Sequence, residues 1–435
     1  MVVLGKNFPD KNLIASTQKN SGGQTMSVAK LQQELTIKLD ALKKTGSLKD
    51  REMVITGLKP AERGKGPRYL IDGYGDIEFL RMNSNSYLGL SLNQDIIKAE
   101  EATTKSYGAG PGAVRFISGT YRPHIELENK LAAFHNREAA MIFSSAYAAV
   151  MGVITPLIFD DTIIVSDELN HNCIINAIRL SRPIIKAVYD HLDMDDLEQK
   201  IQKMIGKGNR VLIVTDGIFS MRGDYAPLDE ISAIAQKYDS KFDGGVNTLV
   251  DDSHGIGAFG KTGRGTEEYT QAEGIDILVA TLGKSLGVNG GYLVANATII
   301  EYLRQTAPFY IYSNPITPSE AGAALKALEI LDSGQGLHLL ENLRGLTHQF
   351  EKGLVALGYE IIAGEHPVVP LMIRDTQRTS ELVRYLTANG ILATGLNYPV
   401  VPKGDEEIRF QVSADHTETD IDYVLEILKK FKEKK

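Results

Sequence analysis

Short apolar runs, many of them rich in β-branched residues, recur between residues 139 and 296. Longer helical or mixed segments separate most of these runs, which occupy residues 139–143, 162–165, 184–188, 211–214, 248–250, 275–280 and 291–294. Near-continuous apolar strands that alternate with helices are typical of a mainly parallel sheet with helices on both faces. The pattern therefore predicts an α/β domain with a large, mainly parallel, seven-stranded sheet.

The flanking segments predict further helices and strands. An amphipathic helix is expected over residues 26–48, because its leucines recur at helical spacing, and short strands are expected at 68–72 and 77–81. Beyond residue 318, predicted helices and strands alternate at 319–331, 337–357, 368–373, 379–389 and 408–412. The chain closes on a helix with one apolar face, which carries Ile421, Val424, Leu425, Leu428 and Phe431.

These elements predict four parts along the chain. They are a polar, flexible leader, an N-terminal helix with short strands, a large domain and a smaller C-terminal α/β domain, at residues 1–25, 26–80, 81–325 and 326–435.

Composition narrows the class of protein. The 435 residues are 43% hydrophobic and 23% charged, as in ordinary globular proteins. A net charge of −8 argues against general affinity for nucleic acid or anionic membranes, and no run has the length or apolar character of a membrane span. The single cysteine, Cys173, excludes intrachain disulfides and suits a reducing compartment, so a cytoplasmic location is predicted.

Polar residues follow several of the predicted strands, namely Ser144, Ser145, Asp167, Asp216, Asp251 and Lys284. In sheets of this type, ligands bind at the carboxyl ends of the strands. Lys284 lies between two glycines after an apolar run, a setting that desolvates an amine and makes it nucleophilic. Pyridoxal phosphate (PLP) needs a lysine for its aldehyde and an acid for its ring nitrogen, and Lys284 with Asp251 suits both needs.

A helix start is predicted next to this pair. Ser145, Ala146 and Tyr147 follow a strand, and backbone N–H groups at a helix N-terminus can bind the cofactor phosphate. We expect Tyr147 to flank the cofactor ring and the Thr281 hydroxyl to contact the phosphate. No metal site is predicted.

The order of motifs resembles that of the α-oxoamine synthases, PLP enzymes of fold type I, the aspartate aminotransferase-like fold. The resemblance extends from Asn83 to the C-terminus. The motifs that carry it lie at residues 85–90, 107–112, 115–120, 124–128, 166–171, 215–221, 251–254, 281–284 and 312–314. Asp-Asp-Ser-His at 251–254 and Tyr-Ser-Asn at 312–314 are most similar to the glycine C-acetyltransferase members of this family.

The resemblance implies a role for each cofactor-binding residue. Lys284 would hold the cofactor and move protons at the substrate α-carbon, and Asp251 would pair with the ring nitrogen. His171 would stack on the ring and contact the substrate, while His254 and Ser220 would lie at the ring hydroxyl. Ser145, Ala146, Tyr147 and Thr281 complete the cofactor set within the chain.

The resemblance also implies substrate and subunit contacts. Arg409 would bind the carboxylate of the amino acid, and Asn85 would assist. Ser313 and Asn314 would reach the cofactor phosphate of a neighbouring subunit, and the protein would then be a homodimer with shared active sites. The sequence departs from the family pattern at Arg222, where an acidic residue is common, and at residues 172–173, where Asn-Cys replaces Ala-Ser.

The implied activity is the condensation of a small amino acid, glycine first among them, with an acyl-CoA or an acyl carrier protein thioester. Serine or alanine as substrate is the nearest alternative, followed by another fold type I reaction, such as transamination or aldol cleavage. A non-catalytic subunit that retains the fold is the alternative from a different class.

Overall fold

The computed structural model describes residues 26–44, 48, 52–398 and 400–434. The predicted leader over residues 1–25 lies outside the described residues. The chain divides into two units, with the boundary between Glu52 and Met53. The first unit contains the predicted N-terminal helix, which spans Met26–Lys44 (α1) and exposes the leucines of its apolar stripe.

The second unit contains the other helices and all of the strands of the described residues. Its α-helices are α2 Gln94–Tyr107, α3 Arg122–Phe134, α4 Ala146–Leu157, α5 Asn172–Ser181, α6 Met194–Gln202, α7 Leu228–Asp239, α8 Thr266–Thr270, α9 Ala297–Thr306, α10 Pro308–Ile311, α11 Pro318–Leu331, α12 Gly334–Ala356, α13 Thr376–Ala388 and α14 Glu418–Lys432. Its strands are β1 Ile55–Lys59, β2 Arg68–Ile71, β3 Leu80–Arg81, β4 Ala139–Phe143, β5 Thr162–Asp167, β6 Ile185–Tyr189, β7 Arg210–Asp216, β8 Val246–Asp251, β9 Ile277–Thr281, β10 Gly291–Ala295, β11 Glu360–Ile361, β12 Val368–Met372, β13 Ile391–Leu392, β14 Thr394–Leu396 and β15 Glu407–Gln411.

The predicted seven-stranded sheet is confirmed, and each of its apolar runs forms a strand. The strand order is β4-β10-β9-β8-β7-β5-β6. Only β10 runs against its neighbours β4 and β9, whereas the pairs among β5 to β9 are parallel.

Alternate residues of the central strands enter two separate hydrophobic cores, one on each face of the sheet. On β7, Leu212 and Val214 pack with α4 and α5, while Val211 and Ile213 pack with α6 and α7. Because both faces are buried, these strands are apolar throughout instead of alternating, which is the pattern that the sequence shows.

The C-terminal segment forms a four-stranded antiparallel sheet in the order β11-β12-β15-β14. The predicted strands at 368–373 and 408–412 are β12 and β15, and the closing helix α14 buries Ile421, Val424 and Leu428. The short strands β11, β13 and β14 were not predicted. The division at residue 326 between a large and a small domain stays a prediction.

Near the N-terminus, the two predicted strand segments contact each other through an antiparallel bridge, in which Tyr69 and Phe79 exchange N–H···O bonds of 3.0 and 2.9 Å. β2 also pairs with β1, which the sequence did not indicate, and β3, at the end of the 77–81 segment, pairs with β13 in the C-terminal part of the chain. The strand β3 therefore connects the two ends of the unit. None of the helices in the described ranges is both long enough and apolar enough to span a bilayer.

A buried ion cluster joins four segments at one edge of the large sheet. Glu128 on α3 accepts hydrogen bonds from Arg115 at 3.1 and 3.2 Å, from Arg304 on α9 at 2.9 Å and from the backbone of Ile142 on β4 at 3.2 Å. The side chains of Arg115 and Glu128 are only 3% and 4% exposed. Each charge therefore depends on its partner for compensation.

Replacing Glu128 with alanine is expected to lower the free energy of unfolding by about 3–5 kcal/mol, because it leaves an arginine buried without a counter-charge. Urea unfolding of the two proteins measures the difference. The control is Glu329→Ala, which breaks an exposed pair with Lys326 and should cost less than about 1 kcal/mol. Equal losses for the two variants would contradict the prediction.

Candidate active site

A cavity opens at the carboxyl ends of the central strands. Asp216 ends β7, Asp251 ends β8, and the two residues are direct partners in the parallel register. Lys284 lies in the connection between β9 and β10. The residues that line the cavity are Ala146, Tyr147, His171, Cys173, Asp216, Ile218, Ser220, Asp251, Ser253, His254 and Lys284.

Two buried carboxyl groups form one side of the cavity. Asp251 Oδ1 accepts a hydrogen bond from the Ser253 N–H at 3.1 Å, and its Oδ2 lies 3.6 Å from Cys173 Sγ. Asp216 Oδ2 accepts from the His171 N–H at 2.8 Å. Burial, and then the charge of Asp251, raise the pKa of Asp216 well above its ordinary value.

The amine of Lys284 faces these acids in a desolvated setting. Burial lowers the pKa of Lys284 to about 8, although the charges of Asp251 and Asp216 act in the opposite direction. A substantial fraction of this amine is therefore neutral near physiological pH, as a nucleophile or a base requires.

His171 caps helix α5 with its own ring. Nδ1 accepts from the Cys173 N–H at 3.3 Å and lies 2.9 Å from the Cys173 sulfur. Burial, above all, lowers the pKa of His171. The ring of Tyr147 stands at 80° to the imidazole, with a centroid distance of 6.5 Å. The cap and the tyrosine thus orient a neutral imidazole at the cavity wall.

His254 is held from two sides. Its Nδ1 lies 2.8 Å from the Tyr87 hydroxyl, and its backbone carbonyl accepts from His366 Nε2 at 2.9 Å. Burial is the main cause that lowers the pKa of His254 well below its ordinary value. His254 is therefore a neutral imidazole with fixed orientation.

Arg409 lies on β15 within a group of amide side chains. Its Nη2 lies 3.4 Å from the Asn85 amide, which is 2.8 Å from the amide of Gln411 and 3.2 Å from the Tyr87 hydroxyl. Arg409 Nε is buried and has no hydrogen-bond partner in the described part of the chain. This guanidinium therefore keeps a donor available for a ligand.

Most of the predicted cofactor residues lie together. Ala146, Tyr147, His171, Ser220, Asp251, His254 and Lys284 all line the cavity. Ser145 caps α4 by accepting from the Ala148 N–H at 3.1 Å, and the Thr281 hydroxyl donates to the Gly290 carbonyl at 3.1 Å. Ser313 and Asn314 lie between α10 and α11, outside the lining of this cavity.

Several residues of the site were given no cofactor or substrate role from the sequence. Cys173, Asp216, Ile218 and Ser253 line the cavity, while Tyr87, His366 and Gln411 support residues of the site. Asp216 carried a usable signal, because it ends a predicted strand, and Tyr87 lies inside a recognised motif. His366 gave none, since the contact with His254 joins residues that are distant in the sequence.

The residues present fit PLP. A desolvated amine, a buried carboxylate and the N-terminus of the twelve-residue helix α4 meet in one cavity. The Ser253 hydroxyl is buried without a hydrogen-bond partner in the described residues, so it can serve a bound polar group. No group of histidine, cysteine and acidic side chains in the described ranges is arranged to bind a metal ion.

The family model described as aminotransferase class I and II matches residues 77–428. The chain belongs to this family. Curated relatives of this aminotransferase class I and II protein include 2-amino-3-ketobutyrate coenzyme A ligase of Bos taurus, 39% identical over 92% of both chains. They also include 8-amino-7-oxononanoate synthase of Petrotoga mobilis, 38% identical over 87% of this chain and 93% of that protein. Both relatives are α-oxoamine synthases, so the predicted membership of the α-oxoamine synthases is confirmed.

Solved structures agree with this assignment. A serine palmitoyltransferase variant from S. paucimobilis, with a bound PLP–myriocin aldimine, superposes with a TM-score of 0.81 and 26% identity. The match covers 91% of this α-oxoamine synthase and 96% of that chain. The predicted fold type I architecture is therefore confirmed.

The lowered pKa of Lys284 predicts the pH dependence of its reaction with an amine-specific reagent in the cofactor-free protein. Only the neutral amine reacts, so half-maximal labelling is expected near pH 8, against about pH 10.4 for an ordinary lysine. Peptide mapping after labelling at graded pH measures this midpoint.

The variant Asp251→Asn should move the midpoint lower, because it removes a charge that raises the pKa of Lys284. A midpoint near that of ordinary lysines would contradict a desolvated amine.

Proposed function

We propose that this α-oxoamine synthase uses PLP to condense glycine with an acyl-CoA. The observation that carries the proposal is the meeting of Lys284, Asp251, His171 and His254 in one cavity. In the overall reaction a bond forms between the glycine α-carbon and the acyl carbonyl carbon. The thioester bond breaks, and coenzyme A leaves as a free thiol. In most family members, the resulting β-keto acid then loses carbon dioxide.

When bound, PLP supplies an electron-withdrawing ring that stabilises a carbanion at the α-carbon of an amino acid. Lys284 removes and returns the proton at this carbon, and its lowered pKa suits a base near neutral pH. Asp251 is the carboxylate for the ring nitrogen. Its buried position, with a backbone N–H on one oxygen, fixes the direction of the other oxygen.

Arg409 binds the carboxylate of the amino acid. A guanidinium can form two parallel hydrogen bonds with a carboxylate, and the buried Nε of Arg409 lacks a partner in the described residues. The Asn85 amide lies beside this guanidinium and assists. The amino acid is thereby held by its carboxylate while its α-carbon faces Lys284.

The other predicted residues orient the cofactor. His171 covers one face of the ring, and His254 and Ser220 contact the ring hydroxyl. The N-terminus of α4, with Ser145, Ala146 and Tyr147, holds the phosphate together with the Thr281 hydroxyl. The positions of Ala146, Tyr147, His171, Ser220 and His254 in the cavity lining, and of Ser145 at the N-cap of α4, support these roles.

Glycine is favoured by the motifs at residues 251–254 and 312–314 and by the relative from Bos taurus. A second candidate is the condensation of alanine or serine, which the almost equal identity of the Petrotoga mobilis synthase and the structural match to a serine palmitoyltransferase support. A cytoplasmic location stays a prediction, and the name of the bovine relative places that protein in mitochondria.

The proposed reaction predicts glycine-dependent release of free thiol from a short-chain acyl-CoA. Mixing holoenzyme with acyl-CoA and glycine, alanine or serine, and following thiol release with a chromogenic disulfide, tests both candidates. Glycine should give the highest rate. Thiol release in the absence of an amino acid would contradict the proposal. So would a failure of all three amino acids to cause release.

Two variants serve as controls for this assay. Lys284→Ala should abolish release, because it removes the base. Arg409→Lys should lower kcat/KM for glycine by roughly 10- to 100-fold, since a lysine cannot replace two hydrogen bonds to a charged group.

The proposed assembly is a homodimer in which Ser313 and Asn314 contact the cofactor phosphate of the partner subunit. Large apolar side chains near this segment support an interface. Phe116 and Ile117 are each 65% exposed and Tyr312 is 80% exposed. Residues 115–119 pack beside α10, which directly precedes Tyr312, so these groups form one surface region. Exposed apolar surface of this kind marks interaction sites.

Shared sites predict complementation between two inactive variants. Asn314→Asp should repel the phosphate of the partner's site, and Lys284→Ala removes the base of its own site. Dimers that combine them contain one intact site, so random mixing should restore about a quarter of wild-type thiol release. A mixture no more active than its parents would argue against shared sites.

A further inference from the structure

A continuous series of polar contacts runs from Arg409 to His254. The Gln411 amide lies 3.2 Å from Arg409 Nη1 and 3.3 Å from Nη2, and 2.8 Å from the Asn85 amide. Asn85 lies 3.2 Å from the Tyr87 hydroxyl, which lies 2.8 Å from His254 Nδ1. Gln411 and Tyr87 are buried, so water cannot replace these contacts. The series therefore has a definite hydrogen-bond direction.

The direction is set by Arg409, because a guanidinium offers only donors. Gln411 therefore turns its amide oxygen toward Arg409, and this oxygen accepts from both Nη1 and Nη2. The Asn85 atom that lies 2.8 Å from the same oxygen must then be the amide nitrogen, and its longer contact of 3.4 Å with Arg409 Nη2 is not a hydrogen bond in this orientation. In the opposite orientation, the NH₂ group of Gln411 would face the guanidinium, with donors against donors.

The two protons on the Asn85 nitrogen are then used by Gln411 and by the Tyr87 oxygen. Since Tyr87 accepts from Asn85, its own proton is free to be donated to His254 Nδ1. A nitrogen that accepts a hydrogen bond carries no proton. In a neutral imidazole, the proton must then be on Nε2.

We propose that Tyr87 is a positioning residue, which holds His254 as the Nε2–H tautomer under the direction of Arg409, Gln411 and Asn85. The opposite amide orientation would reverse every bond in the series. Tyr87 would then donate to Asn85 and accept from His254, and the proton would be on Nδ1. The guanidinium of Arg409, which can only donate, therefore determines which nitrogen of a histidine in another part of the fold carries the proton.

The surroundings of Tyr87 support this role. Its ring is fully buried and meets the ring of His366 edge-on, with a centroid distance of 5.1 Å. His366 accepts from the Val368 N–H at Nδ1 and donates from Nε2 to the His254 carbonyl, so the backbone and the side chain of His254 are held together. Burial lowers the pKa of His254, which keeps the imidazole neutral.

Nε2 of His254 has no hydrogen-bond partner in the described residues, and His254 lines the cavity. The proposed tautomer thus offers a donor to a ligand, and the reverse tautomer would offer a lone pair. A donor is what an oxygen substituent on a bound ring requires. This consequence rests on the proposed function, while the tautomer itself does not.

The tautomer can be read by nitrogen NMR on full-length protein with ¹⁵N-labelled histidine, before and after PLP is added. The His254 signal is assigned by its loss in His254→Gln. We expect Nε2–H in wild type under both conditions. Tyr87→Phe should give a mixture of tautomers and weaken PLP binding by roughly two- to tenfold, the value of one hydrogen bond.

Two further variants separate a directed series from a general loss of packing. Gln411→Glu should keep the wild-type signal of His254, because a carboxylate can only accept from Arg409 and Asn85. Tyr292→Phe removes a comparable buried contact, in which the Tyr292 hydroxyl lies 2.9 Å from His135 Nε2 outside the cavity. It should leave His254 and PLP affinity unchanged.

An Nδ1–H tautomer in wild type would overturn the proposal, and so would an unchanged His254 signal in Tyr87→Phe. Failure of wild type to bind PLP, with His254 still in the expected tautomer, would overturn the proposed function alone.

Discussion

The lateral pairing of β7 with β8 is the constraint on which the site depends. It places Asp216 and Asp251 side by side at the end of the sheet, where burial makes each charge costly. A slip of one residue would turn one carboxyl group to the other face. Two opposing effects act on the pKa of the neighbouring Lys284, since burial favours its neutral form and the two acids favour its charged form. Backbone register thus controls the electrostatics of the cavity.

Much of this fold could be predicted from the sequence, because strands buried on both faces leave long apolar runs. The order of those strands could not, since it depends on how helices pack across the sheet. The strands β1, β11, β13 and β14 were missed, and the last three span only two or three residues each, too few to show a periodicity. The pairing of β3 with β13 joins residues 80–81 to 391–392, a contact that no local pattern encodes.

Some residues of the site could likewise be predicted from the sequence, and others could not. Lys284, Asp251 and Ser145 follow predicted strands, so their shared edge could be inferred from the architecture alone. The support of His254 could not be. Tyr87 and His366 are far apart in the sequence, and only the folded structure brings both to one imidazole. Residues that act through another residue leave little trace in a single sequence.

The reversed direction of β10 has a consequence for how such a protein can change over evolution. Lys284 lies in a connection whose ends are tied to each other, with Leu282 N–H bonded to the Gly290 carbonyl at 2.9 Å and Gly291 opposite Thr281. The other connections at this edge lead into helices and can absorb extra residues. A deletion or insertion here would shift the amine itself. Diversification of substrate range is therefore expected in the helix-bearing loops, while the length of this hairpin stays constant.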